Sequence, residues 1–195
     1  MSDDVDTTRQ DTPSQEFDSG DYAPDEDDGR PWRSVDGPID HEGFRNFCEA
    51  RKPMEQLPLS LTVNHELLKD PCYTGPIKVS FGLGVSSDAL VEYAIKHKGI
   101  ERRAVEEGRK KSIGTIRALG VYKAVRFLKY ISGAPYLSFC MPISMDVDYV
   151  VELYNNYTKE ELEMDEQDER EVLEILKKEL GISQEETPKW WFFSD

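Results

Sequence analysis

The chain of 195 residues carries 39 acidic and 24 basic side chains, which gives a formal net charge of −15. Hydrophobic residues make up 38%, below the usual level of about 45–50%, which indicates that part of the chain lies outside any core. No run approaches the roughly 18 apolar residues of a membrane span, and the N-terminus lacks the cationic and apolar stretches of a secretory signal. We therefore expect a soluble protein without a membrane span.

Three cysteines, Cys48, Cys72 and Cys140, are widely spaced and form no Cys-x-x-Cys pattern. An odd number of separated cysteines is typical of reduced thiols rather than a disulfide framework. The predicted location is therefore intracellular, in the cytoplasm, the nucleus or both.

The charge is distributed unevenly along the chain. Residues 1–40 hold 13 acidic and 3 basic side chains, residues 96–129 hold 3 acidic and 11 basic ones, and residues 130–195 hold 16 and 5. A basic island (residues 96–129) thus lies between two acidic flanks, and such segregation indicates an interaction surface. Residues 1–37 have few apolar side chains and are predicted to form a disordered acidic arm.

Ordered structure is predicted to begin near Ile39. Asp40 is a suitable N-cap for a helix with an apolar face, which Pro53 ends. Apolar residues alternate with polar or small ones from Leu57 to Val63 and again from Ile77 to Leu83, which predicts two strands.

Three helices are predicted next. The first is capped by Ser87 and stopped by Gly99. The second runs from about Ile100 to Lys111, and the third follows Gly120 and ends near Gly133.

The C-terminal third predicts one strand and further helices. Tyr136 to Met141 is a short apolar run, typical of a buried strand, and Val147 to Tyr157 has apolar residues at helical spacing. A last helix ends at Leu180, with Gly181 as its stop. These elements predict a single α+β domain over residues 38–187, with a mixed sheet of about three strands packed by five or six helices. Residues 188–195 form a separate aromatic C-terminal segment.

A glycine-containing loop joins the second predicted strand to the helix after it, over residues 81–88. Phosphate-binding loops occupy this position, because the N–H groups at a helix start bind anions. Here Ser87 replaces the third glycine, and Asp88 in the first helical turn would repel phosphate. The pattern favours a turn with an N-cap.

The sequence patterns that would indicate a metal site or a nucleophilic residue are weak. His41 with Cys48 and His65 with Cys72 repeat one spacing, but six intervening residues exceed the usual separation of zinc ligands. A Cys–His nucleophile would have to be assembled in space, and no motif of a known hydrolase or nucleotide-binding site is present. We predict no catalytic residue, no metal ligand and no cofactor, with an enzyme of unrecognised type as an alternative.

The basic island is the first candidate binding surface. Lys123, Arg126 and Lys129 recur every third residue opposite an apolar stripe, and Arg117 precedes them on the same segment. Such a cationic face can meet an acidic protein or the phosphates of RNA or DNA, or it can be solvated and neutralised by the acidic flanks. Aromatic residues do not interleave with these cations, which makes nucleic-acid binding the second choice.

The C-terminus is the second candidate surface. Four large aromatic side chains stand in a row: Trp190, Trp191, Phe192 and Phe193. They can fold back onto the domain to complete its core or cover a sheet edge, or they can anchor a partner. Together the two surfaces predict a non-enzymatic protein that binds other proteins as an adaptor, regulator or assembly factor.

Overall fold

The computed structural model describes residues 40–110, 114–162 and 164–193. The predicted arm, residues 1–37, lies outside the described residues. This part of the chain contains five α-helices, two short 3-10 helices and four strands. In chain order they are α1 (His41–Glu49), 3-10 helices at Leu59–Leu61 and Leu67–Lys69, β1 (Val79–Val85), α2 (Ser87–Lys96), α3 (Arg102–Lys110), α4 (Gly114–Ser132), β2 (Ser138–Cys140), β3 (Tyr149–Asn155), α5 (Glu166–Leu180) and β4 (Lys189–Phe192).

The α+β class predicted from the sequence is confirmed, but the sheet differs from the expectation. It has four strands rather than three, in the order β2-β3-β1-β4, and each neighbouring pair is antiparallel. β1 and β3 lie in the centre, and their core side chains pack against α2, α4 and α5. None of the described helices combines the length and apolar character that crossing a bilayer requires.

Several local signals predicted the helices correctly. The Asp40 carboxylate accepts hydrogen bonds from the N–H groups of Glu42 and Gly43 and caps α1. The helix predicted around Leu90 is α2, although Ser86 rather than Ser87 is its N-cap. Gly181 ends α5 in the left-handed conformation, with φ of 67°, as its sequence position predicts.

The third predicted helix begins earlier than expected. α4 starts at Gly114 and continues through Gly120, which the sequence suggested would interrupt it. A Cβ on Gly120 would lie 2.9 Å from Ile100 Cδ1 and 3.1 Å from Val91 Cγ2. The glycine therefore allows α4 to pack closely against α2 and the connection to α3, which outweighs its low helix propensity.

Two segments have a different structure from the one predicted. Residues 57–63 do not form a strand but include the 3-10 helix at Leu59–Leu61, where the Leu61 N–H donates to Pro58 O. Its Leu59 side chain is 91% exposed, so the alternation did not mark a buried face. Residues 147–157 contain β3 instead of a helix, because consecutive residues such as Val150 and Val151 are buried on opposite faces of a covered sheet.

The predicted strand near residue 138 exists, but it is not buried. β2 is an edge strand of three residues, of which Ser138 and Phe139 are exposed. Only Leu137, just before it, is fully enclosed in the core. The apolar run therefore corresponds to an edge rather than to the centre of the sheet.

Candidate partner-binding groove beside helix α4

The arginines of the basic island mostly form ion pairs within the fold. Arg102 binds Glu92 through both carboxylate oxygens, at 2.9 and 2.5 Å, and Arg103 Nε lies 2.9 Å from Glu107 Oε1. Arg109 and Arg117 both bind Asp88, with N–O distances of 2.6 and 2.9 Å. The acids that neutralise these arginines lie on α2 and α3, not in the acidic flanks. This part of the island links α2, α3 and α4 and offers little free charge to a ligand.

The N-terminus of α2 is also occupied by side chains of the protein itself. Arg117 also donates to the Ser87 hydroxyl, and the Ser87 N–H donates to Asp148 Oδ2 at 2.8 Å. The Ser86 hydroxyl accepts from the Ala89 N–H. Carboxylates and a capping hydroxyl therefore occupy the end of the helix where a phosphate would bind, which supports the interpretation as a turn with an N-cap.

Of the three remaining predicted cations, Arg126 and Lys129 line one groove and Lys123 does not. Lys123 is half-buried and packs by its Cβ next to Gly99, near the connection between α2 and α3. Arg126 is exposed and Lys129 is half-buried, and both line a groove beside α4. Within the described part of the chain, none of these three cations forms an ion pair.

This groove, the α4–β2 groove, has a volume of about 330 Å³ and separates α4 from the edge strand β2. Leu137 is at its base, fully buried, while Tyr122 and Phe139 on its two walls are 53% and 36% exposed. None of the described residues that line it is acidic. They are Tyr122, Val125, Arg126, Lys129, Leu137, Ser138 and Phe139.

The edge of the sheet lies at the same place. β2 pairs with β3 on one side, and on its other side no strand of the described residues pairs with it. An unpaired strand edge can accept a further extended chain. The residues just after β2 are already engaged, because the Ile143 N–H donates to Phe192 O and Pro142 bridges Phe193. Two cations, two aromatic rings and a free strand edge thus meet at one groove.

The aromatic residues of the groove were missed by the sequence interpretation. The sequence does contain a signal, because Leu119, Tyr122 and Arg126 recur at spacings of three and four on the solvent face of α4. Phe139 joins them only through the packing of β2 beside the helix. The expectation that aromatics do not interleave with these cations is wrong, because Tyr122, Phe127 and Tyr130 alternate with them in the sequence and Tyr122 lines the groove.

The C-terminal aromatic segment folds back onto the domain as β4, the first of the two alternatives. β4 pairs with β1, and Met54 bonds to Trp190 through both backbone groups on the outer side. The Trp190 ring contacts Phe81 and Tyr154, with centroids 5.1 and 5.7 Å apart.

The other three aromatic residues of this segment differ in exposure. Trp191 lies across Gly84 on the opposite face of the sheet and donates from Nε1 to Gly82 O at 3.1 Å. Like Trp190 it is buried, so neither ring presents a surface to a partner. Phe192 and Phe193 are half-buried.

Two of the described cysteines, Cys48 and Cys140, are poor nucleophiles. Burial raises the pKa of the Cys140 thiol to about 11, and the Glu152 carboxylate adds to that shift. Burial, followed by the charge of Glu49, also raises the pKa of Cys48. A raised pKa keeps a thiol protonated, whereas the thiolate is the reactive form.

The third cysteine and the histidines do not complete another site. Cys72 is exposed and unpaired. His65 faces Glu160 at 3.6 Å beside an open depression of about 450 Å³. In residues 40–110, 114–162 and 164–193, no group of three or more His, Cys, Asp or Glu side chains is arranged to hold a metal ion.

Comparison with protein-family models, curated proteins and solved structures finds no match to this chain. The α4–β2 groove is therefore the feature from which a function can be inferred.

Proposed function

We propose that this protein is a non-enzymatic interaction module, an adaptor, regulator or assembly factor, that binds an acidic, extended protein segment in the α4–β2 groove. The observation that carries the proposal is the meeting of Arg126 and Lys129 with the exposed rings of Tyr122 and Phe139 at an unpaired strand edge. Aromatic and arginine side chains contribute most to the affinity of protein interfaces.

Each part of the groove suits a peptide. An extended chain can add to β2 through main-chain hydrogen bonds, while alternate side chains enter the groove. A carboxylate on that chain would pair with Arg126 or Lys129, neither of which has a counter-ion among the described residues. An aromatic or aliphatic side chain would fill the space above Leu137.

The remaining chemistry supports a binding role over catalysis. The Cys48 and Cys140 thiols have raised pKa values, and the arginines of α3 are engaged in ion pairs. The three cysteines are free thiols, which supports an intracellular location in the cytoplasm or nucleus.

Single-stranded nucleic acid is a second candidate ligand, because rings next to cations can stack bases and bind phosphates. Tyr122 and Phe139 provide the rings, and Arg126 and Lys129 provide the cations. Against this ligand, four island arginines are already paired and the net charge is −15. Phosphate binding depends on many free cations acting together.

Affinity purification with variants tests the proposal. Tagged wild-type chain and the double variant Arg126→Glu/Lys129→Glu are expressed in the native source, and the retained molecules are identified with and without nuclease treatment. We expect the wild type to retain partner proteins after nuclease and the double variant to lose at least about 90% of them, since charge reversal repels an acidic ligand.

A matched control uses two exposed lysines outside the groove, in the variant Lys110→Glu/Lys178→Glu, which changes the net charge equally. This control is expected to retain the same partners as the wild type. Identical recovery by all three chains would contradict the groove as the binding site. Recovery that disappears on nuclease treatment would favour the second candidate.

A further inference from the structure

The N-terminal segment, residues 1–37, carries negative charge, which is opposite to the positive charge of the α4–β2 groove. Residues 1–40 hold 13 acidic and 3 basic side chains, including the run Asp25-Glu26-Asp27-Asp28. The groove has two cations and no acidic lining residue among those described, and neither cation forms an ion pair with another described residue. Opposite charges attract most strongly where the cations lack other partners.

The segment also carries apolar side chains that match the groove. Trp32 follows the acidic run by four residues, and Phe17 precedes it. In the groove, the exposed rings of Tyr122 and Phe139 line the same depression as Arg126 and Lys129. The segment and the groove therefore have opposite charges, and each also carries aromatic side chains.

The connection is long enough for this contact within one molecule. α1 starts at His41, and the chain then reaches Met54 at β4, on the sheet edge opposite β2. The outer strands of a four-stranded sheet are about 15 Å apart. The residues between Asp28 and Asp40 can span up to about 40 Å when extended, which exceeds the distance between the outer strands.

We propose that the acidic N-terminal segment occupies the α4–β2 groove of its own chain and competes there with partner proteins. This inference rests on the proposed function, because the segment imitates the acidic ligand. A tethered ligand acts at an effective concentration in the millimolar range, so even a weak contact occupies the groove in the absence of a partner. A partner must then bind more tightly than the segment, or the negative charge of the segment must first be neutralised.

Fluorescence anisotropy of the full chain tests this contact. The probe is a fluorescein-labelled synthetic peptide with the sequence of residues 17–33, measured at low ionic strength. The chains compared are the wild type and a neutralised variant, Asp25→Asn/Glu26→Gln/Asp27→Asn/Asp28→Asn. We expect the neutralised variant to bind the probe about tenfold more tightly, since its own segment no longer competes for the groove.

A charge-matched control separates competition from general repulsion. Glu161→Gln, Glu174→Gln, Glu185→Gln and Glu186→Gln remove the same charge from exposed positions far from residues 1–37 in the sequence. This control is expected to bind the probe within about twofold of the wild type, because its segment still competes. Adding Arg126→Glu/Lys129→Glu to the neutralised variant is expected to abolish binding.

The outcomes distinguish the two proposals. Equal binding by the wild type and the neutralised variant, lost on charge reversal in the groove, would overturn self-occupancy and leave the proposed function standing. No binding of the probe by any chain would overturn self-occupancy, while the recovery of partner proteins in the affinity purification decides the proposed function separately. A wild-type dimer in sedimentation velocity that the neutralised variant does not form would overturn occupancy within one chain in favour of a second copy.

Discussion

Gly120 lies in the middle of α4, where that helix packs against α2. Glycine lowers the stability of a helix interior by about 1 kcal/mol relative to alanine, so its presence here has a structural reason. The side chains of Val91 and Ile100 occupy the space that a Cβ would need. Close packing of α4 on α2 in turn fixes the position of the solvent-facing stripe that lines the α4–β2 groove.

A substitution tests this role. Gly120→Ala is expected to lower the free energy of unfolding by about 1–3 kcal/mol, because overpacking outweighs the gain in helix propensity. Gly114→Ala is the control, since a Cβ at the first residue of α4 meets nothing within 4 Å. Urea denaturation of both variants measures the effect. A Gly120→Ala protein as stable as the control would show that the helices are not in close contact.

Strand β4 contains the C-terminal aromatic residues, for which the sequence allowed two roles: completion of the core or binding of a partner. Successive side chains of a strand point to opposite faces of the sheet. Trp190 therefore lies in the main core, and Trp191 lies over the glycines of β1. Met54 and Pro142 pair with the C-terminal residues by isolated bridges and cover them further. A terminal strand thus completes the core and covers one edge of the sheet, whereas no strand among the described residues pairs with the outer side of β2.

Trp190→Ala measures this contribution. The change is expected to lower the free energy of unfolding by about 3–5 kcal/mol, because it leaves a cavity between Phe81 and Tyr154. The control Phe193→Ala removes a half-buried ring and is expected to cost about 1 kcal/mol. Denaturant melting of the full chain provides both values. Equal losses in the two variants would contradict the burial of Trp190.

At the scale of the whole molecule, the centre and the edge of the sheet differ in stability. Val79, Leu83, Val151 and Leu153 in β1 and β3 are at most 1% exposed, whereas β2 has a free side among the described residues. Amide groups exchange slowly where opening requires global unfolding and quickly where local fraying suffices.

Hydrogen exchange followed by mass spectrometry tests this difference in the neutralised variant Asp25→Asn/Glu26→Gln/Asp27→Asn/Asp28→Asn, in which the N-terminal segment does not compete for the groove. We expect the amides of β1 and β3 to exchange at least about a hundredfold more slowly than those of Ser138 to Cys140. The buried β4 serves as the internal reference, because it is a terminal strand with a covered edge. Protection of β2 equal to that of β4 would mean that its edge is covered and would remove the site proposed for an extended ligand.

The sequence by itself determined the elements whose signals are local. Asp40 predicted the start of α1 and Gly181 the end of α5, because caps and stops act through hydrogen bonds and backbone angles within a few residues. The α+β class also followed from composition and spacing.

Only the tertiary structure decided the rest. Residues 149–155 form a strand because both faces of the sheet are covered there, so their buried residues are consecutive and imitate helical spacing. The α4–β2 groove exists because β2 packs beside α4 and brings Phe139 next to Tyr122, Arg126 and Lys129. The packing of α4 against α2 likewise places Arg117 next to Asp88, with which it forms an ion pair. Periodicity along one segment cannot specify which side chains of another segment will face it, and that choice is made by packing.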